Sequence, residues 1–252
     1  MRFKDKVAII TGGGAGMGKA AAMGFAKEGA KVYIVGRTEE TLKATAAEYK
    51  GKDGKIIPAV GDVSDRKDIK AVAAKVLKEC GKVDILVNYA GGNPDHSPMR
   101  PFIEENEEYW DKMIAVNLVG YMIFCRAVLD SMMKQKYGKI INFGAIAGRV
   151  GGPRMCAYSA SKGGVIAFTK ALAIEMAPFG INSNCICPGP IATPGYDLIF
   201  GERGRKETEN FVPLKRIGTA EEVGSAVLYL ASDDAAFITG QVLTVDGGIT
   251  MV

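Results

Sequence analysis

Histidine is almost missing from this chain: His96 is the only one among 252 residues, in a stretch of proline and polar residues. A serine or cysteine hydrolase needs an oriented imidazole base, and one loop histidine makes such a site hard to assemble. Cysteine is scarce and odd in number, at Cys80, Cys125, Cys156, Cys185 and Cys187. Cys185-x-Cys187 has no second pair to meet it, so no metal site is expected. The thiols are expected to be mostly buried and reduced, as in a cytoplasmic protein. Apolar runs stay well short of the roughly 18 residues that suggest a membrane span. The opening Met1-Arg2-Phe3-Lys4-Asp5-Lys6 leads into a strand pattern rather than a signal peptide. A net charge of +4 without blocks of like sign argues against nucleic-acid and membrane partners. No repeat, linker or low-complexity segment divides the chain. With 48% hydrophobic residues, it is ample for one large core, and residues 1–252 read as a single domain.

What is present is a series of short apolar runs that end in small residues. Lys6-Val7-Ala8-Ile9-Ile10 runs directly into Thr11-Gly12-Gly13-Gly14-Ala15-Gly16-Met17-Gly18, and an amphipathic segment closed by Gly29 follows. Strand, glycine loop and helix in that order make a phosphate-binding hypothesis. Residues without side chains let the backbone of Gly12, Gly14, Gly16, Met17 and Gly18 approach a pyrophosphate, and the helix N-terminus offers N–H groups and positive dipole. The second strand, residues 31–35, ends at Gly36-Arg37-Thr38 with no carboxylate before Glu39. An acidic residue there would suit the ribose hydroxyls of NAD. Arg37 suits a 2′-phosphate instead, so NADP is favoured over NAD, unless Arg37 is simply a solvated charge.

Further strands are read at residues 55–60, 83–87, 138–143 and 180–186, with a seventh in residues 240–248. Asp62, after the third strand, can accept from an adenine amine or N-cap the helix of residues 65–80. The fourth strand ends in Asn88-Tyr89-Ala90-Gly91-Gly92, small enough for the backbone to pass close to a ribose or nicotinamide. Residues 107–128 read as one long helix with an apolar stripe, suited to core or subunit contact, and its Asn117 needs polar partners if buried. Residues 195–213 are polar and poorly periodic, the profile of a mobile lid. Thr219-Ala220-Glu221-Glu222 has the form of a capping box. Strands alternating with helices predict an α/β fold, a Rossmann-type doubly wound parallel sheet of about seven strands with helices on both faces.

In Tyr158-Ser159-Ala160-Ser161-Lys162, a helix would place the phenol and the ammonium on one face at i and i+4. A nearby ammonium favours the phenolate and is expected to lower the pKa of Tyr158 toward a useful acid/base range.

Taken together, Thr11-Gly12-x-x-x-Gly16-x-Gly18, Asn88-x-Ala90-Gly91, Asn117, Tyr158-x-x-x-Lys162, Pro188-Gly189 and Asp246-Gly247-Gly248 resemble the short-chain dehydrogenase/reductase family over essentially the whole chain. The likeness is nearest to its 3-oxoacyl-carrier-protein reductase-like branch. The resemblance implies an NADP(H)-dependent oxidoreductase acting on a secondary alcohol/ketone pair of a small molecule, on an acyl thioester or a ring. Tyr158 would be the acid/base. Lys162 would tune it and hold the nicotinamide ribose, and Asn117 would hold a water of the proton relay. Asp62 and Val63 would meet the adenine, and Ile191 and Thr193 the carboxamide. Pro188 and Gly189 complete the implied cofactor site, with Asn88, Ala90 and Gly91. A homotetramer is implied, with the helices of residues 107–128 and 158–179 and the C-terminal strand at the interfaces.

One position departs from that pattern. The family's catalytic serine stands thirteen residues before the tyrosine, and here that residue is Ala145. Asn88-Tyr89 also replaces the usual Asn-Asn pair. The sequence leaves several explanations open: a hydroxyl from Tyr89 or Ser97 replaces the serine; the tyrosine suffices; the serine was engineered away; or the chain is a cofactor-binding, weakened subunit that partners an active relative in a hetero-oligomer.

Overall fold

A computed structural model describes residues 1–95 and 99–252, apart from the side chains of residues 197–200. His96 and Ser97 therefore lie outside the described residues. Seven strands, β1 (Val7–Thr11), β2 (Lys31–Gly36), β3 (Lys55–Val60), β4 (Ile85–Asn88), β5 (Gly138–Phe143), β6 (Ile181–Pro188) and β7 (Val242–Val245), form one sheet. Its order is β3-β2-β1-β4-β5-β6-β7, and each neighbouring pair is parallel. All of β1, β4 and β5 is buried, which explains their near-continuous apolar runs: both faces of the sheet are covered. Side chains alternate along β1. Ala8 and Ile10 join a core with Phe25 and Val87, whereas Val7 and Ile9 join the opposite core with Leu86 and Phe124.

Helix α1 (Gly16–Lys27) lies on one face, and α3 (Arg66–Cys80) and α5 (Gly120–Gln135) lie on the other. The strand order reverses between β1 and β4, so their C-terminal ends part to form a crevice. That crevice positions the site.

Three expectations are corrected. The N-cap of α3 is Asp65, which accepts from Lys67 N at 2.6 Å and Asp68 N at 3.4 Å; Asp62 instead closes its own turn on Ser64 N at 2.8 Å. Residues 107–128 are not one regular helix. A π-helical turn (Ala115–Val119) separates α4 (Glu107–Ile114) from α5, and the helical stretch runs on to Gln135. Its best 18-residue window averages 1.6 in hydropathy, enough by composition to cross a membrane. Here Met113, Tyr121 and Phe124 are buried within the chain's own core. Residues 195–213, poorly periodic in the sequence, are mostly regular: they form α8 (Pro194–Phe211). Thr193 caps it by accepting from Tyr196 N at 3.2 Å, Arg203–Glu207 and Arg205–Glu209 pair along it, and it bends at Gly201. The capping box at Thr219 is formed as expected.

Candidate active site

The loop after β1 turns at two glycines with positive φ, Gly12 at 67° and Gly16 at 51°. A Cβ at Gly12 would meet Tyr89 Cδ1 at 2.8 Å, and one at Gly18 would lie 2.4 Å from Gly12 O, so the start of α1 sits directly on the loop. The N-cap of α1 is Ala15, which offers no capping side chain, and the first turn holds no acid. Its leading N–H groups are thus left for an anion. Beside them lies a cleft of about 450 Å³ lined by Gly12, Gly14, Arg37, Asp62, Val63, Ala90 and Gly91, among others. The bare loop, the uncapped helix and the residues that line the cleft fit a dinucleotide. Arg37 reaches from the tip of β2 to within 3.9 Å of Asp62 beyond β3, so the two candidate recognition groups stand together at one end.

At the other end, the tip of β4 is held by Thr11, whose Oγ1 accepts from Tyr89 N and Ala90 N, both at 3.0 Å. Asn88 faces the sheet interior and donates to Asn142 Oδ1 at 2.9 Å, so its side chain braces strands rather than lining the cleft. Asn117 sits in the π-helical turn, fully buried. Its Oδ1 accepts from Gly92 N at 2.7 Å, and its Nδ2 donates to Gly92 O at 2.8 Å and Met113 O at 3.1 Å. The expected polar network is present, and it ties the helix to the cleft wall.

Tyr158 and Lys162 lie on α7 (Cys156–Met176), with Lys162 Nζ 6.0 Å from the Tyr158 ring centre. Lys162 is buried and donates to Phe143 O at 2.8 Å and to Tyr121 Oη at 3.2 Å. Nζ also stands 3.2 Å from where a Cβ on Gly91 would be, which brings it to the edge of the cleft. The Tyr158 ring packs beside Tyr109, Met113 and Ala157. The expected lowering of its pKa is not what this arrangement produces. Burial raises the Tyr158 phenol, helped by Tyr89 and Cys187, because Lys162 directs its charge at Phe143 O and Tyr121 rather than at the Tyr158 oxygen.

Burial likewise pushes Lys162 down to about 8. Unfolded, the lysine holds its proton up to its ordinary 10.5, whereas folded it releases it near 8. The unfolded state binds more protons between those values, so this group's stabilising contribution is present above 10.5 and is lost as the pH falls through 8. Lys162→Met is therefore expected to be at its most stable relative to the parent below about pH 8, and to lose ground as the pH rises toward 10.5. Melting temperatures of both proteins over that range check this; a constant gap would refute it.

Ala145 follows β5 and is buried at 7% exposure. Its loop is pinned by Gly144 N donating to Ile186 O at 2.9 Å and Ile146 N to Pro188 O at 3.3 Å. Cys185 and Cys187 lie beneath it, their sulfurs 3.0 and 2.7 Å from a Cβ placed on Gly144. Beyond it, Arg149 donates to Thr244 Oγ1, and Arg154 is exposed. Of the remaining candidates, Gly189 packs on Asp246, Ile191 is buried and bridges to Gly218, and Thr193 faces Gly16. Pro188 ends β6, and Met17 lies in the first turn of α1.

Three contributors were not singled out from sequence: Thr11 Oγ1, Tyr121 Oη and Phe143 O. Thr11 carried a usable signal, as a hydroxyl at the end of an apolar strand. Tyr121 had one as well, four residues after Asn117 in the same stripe. A backbone carbonyl leaves none.

The family profile described as enoyl-(acyl carrier protein) reductase matches residues 12–250. A 3-oxoacyl-(acyl-carrier-protein) reductase of Thermotoga maritima is 40% identical over 251 residues, covering 100% of both chains. A hydroxy(phenyl)methyl-succinyl-CoA dehydrogenase subunit of Thauera aromatica is 36% identical over 248 residues, 98% of both. Among solved structures, levodione reductase superposes with a TM-score of 0.91 at 34% identity, covering 98% of each chain.

Proposed function

The chain belongs to the short-chain dehydrogenase/reductase family, in its 3-oxoacyl-carrier-protein reductase-like branch, and on that footing we propose that it interconverts a secondary alcohol and a ketone with NADP(H). The observation that carries this reading is buried Lys162, which reaches the glycine-lined cleft beside Gly91 and stands 6.0 Å from the centre of the Tyr158 ring. A nicotinamide cofactor, when bound, supplies or accepts the hydride. The chain's own residues do the rest. Tyr158 Oη donates its proton to the carbonyl oxygen in reduction and takes it back in oxidation. Lys162, held by Phe143 O, places positive charge at the wall next to the ribose position. Asn117 fixes Gly92 and with it the cleft wall, from which a water can serve the proton path. Gly12, Gly14, Gly16, Met17 and Gly18 present backbone to the pyrophosphate, while Asp62 and Val63 border the adenine end. The substrate is a small molecule whose ketone is borne on an acyl thioester or a ring, as the relatives' names suggest. We read the working form as a cytoplasmic homotetramer.

NADP preference rests on Arg37 and on the absence of a carboxylate at the β2 tip. Arg37→Ala is expected to weaken NADPH binding about tenfold or more, the worth of a charge-assisted pair, and to leave NADH binding unchanged. Titration of each cofactor with parent and variant checks it; equal or NADH-preferring binding by the parent would sink the 2′-phosphate argument. A second reading draws on Ala145, which leaves the usual serine hydroxyl missing. On that reading the chain is a cofactor-binding, weakened subunit of a hetero-oligomer. Good turnover by purified homo-oligomer would rule it out.

A further inference from the structure

Tyr89 carries a phenol where the family pattern has an asparagine, and its surroundings say what the phenol faces. Asn88 points into the sheet interior, toward Asn142 and Cys125, so strand alternation sends Tyr89 to the opposite face, under the glycine loop. The ring stands edge-on to Phe143, centroids 5.1 Å apart at 82°. Its Cδ1 lies 2.8 Å from the Cβ positions of both Gly12 and Gly18, so those two glycines make the space it occupies. Its Oη reaches to 3.6 Å from the Cβ position of Gly16, a point that Thr193 Cγ2 approaches to 3.2 Å. Among the described residues this hydroxyl has no hydrogen-bond partner, and Tyr89 lines the cleft. A largely buried phenol without a partner leaves a strong donor unused until a ligand arrives.

The first turn of α1 begins at the same place. Gly16 opens the helix, Ala15 cannot cap it, and no acidic side chain stands in that turn. A phenolic donor and a row of free N–H groups thus converge beside Gly16, an arrangement that suits an anion and not a cation or an apolar group. Burial raises the Tyr89 phenol above its ordinary value, which keeps the hydroxyl protonated as a donor throughout the neutral range.

We propose that Tyr89 is a cofactor-contacting residue of this chain, donating from Oη to the pyrophosphate of the bound dinucleotide beside the first turn of α1. This rests on the reading that the cleft holds a dinucleotide.

The test is titration of Tyr89→Phe with NADPH and with NADH, alongside the parent and Arg37→Ala. The pyrophosphate is common to both cofactors, so Tyr89→Phe should weaken both by the same factor, about tenfold, as loss of a hydrogen bond to a charged group predicts. Arg37→Ala should weaken NADPH alone. Phenylalanine keeps the ring between Gly12, Gly18 and Phe143, so the melting temperature should not move; a purely structural role would shift it and spare the affinities. Unchanged affinity for both cofactors in Tyr89→Phe overturns this inference and leaves the function reading intact. Tighter binding in Tyr89→Asn also overturns it, since the phenol would then obstruct the site. Binding of neither cofactor by the parent overturns both.

Discussion

Replacing Tyr158 with phenylalanine is expected to lower turnover by about 10²–10⁴, the usual worth of a positioned acid/base, with NADPH affinity and melting temperature unchanged. The selectivity of this effect follows from how the side chain is held. The ring packs against Tyr109, Met113 and Ala157, contacts that phenylalanine retains. Only the hydroxyl is lost, and Lys162 does not depend on it, because Nζ is already bound by Phe143 O and Tyr121 Oη. Burial raises the Tyr158 phenol, so at neutral pH it carries the proton that a ketone oxygen must receive. In the oxidation direction the same group must first give that proton up, so alcohol turnover by the parent should climb with pH while ketone reduction does not. Steady-state rates of parent and variant in both directions, with a panel of ketones and alcohols, measure this. A variant within tenfold of the parent would remove Tyr158 from the chemistry and overturn the proposed function with it.

The parts of this protein that could be read from its residues are those whose cause is local. β1 is an apolar run stopped by glycines, and Ala15 leaves the start of α1 uncapped, so strand, loop and helix start were legible together. Asn117 could be read as a buried amide in need of partners because its neighbours are apolar. Helix α8 was not legible, since residues 201–211 carry no apolar periodicity in the sequence; its cap at Thr193 and the pairs Arg203–Glu207 and Arg205–Glu209 are what the described residues show. The π-helical turn was hidden for a different reason. It shifts the register within a stretch that is apolar on either side. Gly120 marks the place, because a Cβ there would lie 2.3 Å from Val63 O, but a glycine in a helix does not announce which backbone it approaches. At the start of α3, Asp62, Asp65 and Asp68 all fall within a short stretch, and backbone geometry, not residue type, chose Asp65 as the cap. The direction of the Tyr158 shift was beyond sequence altogether. Spacing places an ammonium near the phenol, but burial, which dominates both groups, is a property of the packed chain.

Ala145→Ser is expected to raise turnover by about 10²–10³, the usual worth of one oxyanion-type donor. The gain depends on the new hydroxyl being held where the methyl is now, and the structure supplies that constraint. Gly144 N and Ile146 N, on either side of position 145, donate to Ile186 O and Pro188 O, so the loop is anchored to β6 and its tip. Phe143, two residues earlier, holds Lys162 through its carbonyl, which couples the loop to the same helix face that carries Tyr158. Cys185 and Cys187 fill the space beneath Gly144, closing one direction in which the loop could relax. An added hydroxyl in this small buried space is therefore set by the backbone rather than left to swing. Comparing kcat of parent and variant on a ketone that both accept is the measurement. A rise of that size with unchanged cofactor affinity would mean that the scaffold is intact and that the chain works with one donor fewer than its relatives. No rise, with good turnover by the parent, would mean that the tyrosine suffices for this reaction. If NADPH binds tightly and neither protein turns over any ketone or alcohol, the deficit lies beyond position 145, and the weakened-subunit reading takes the place of the enzymatic one.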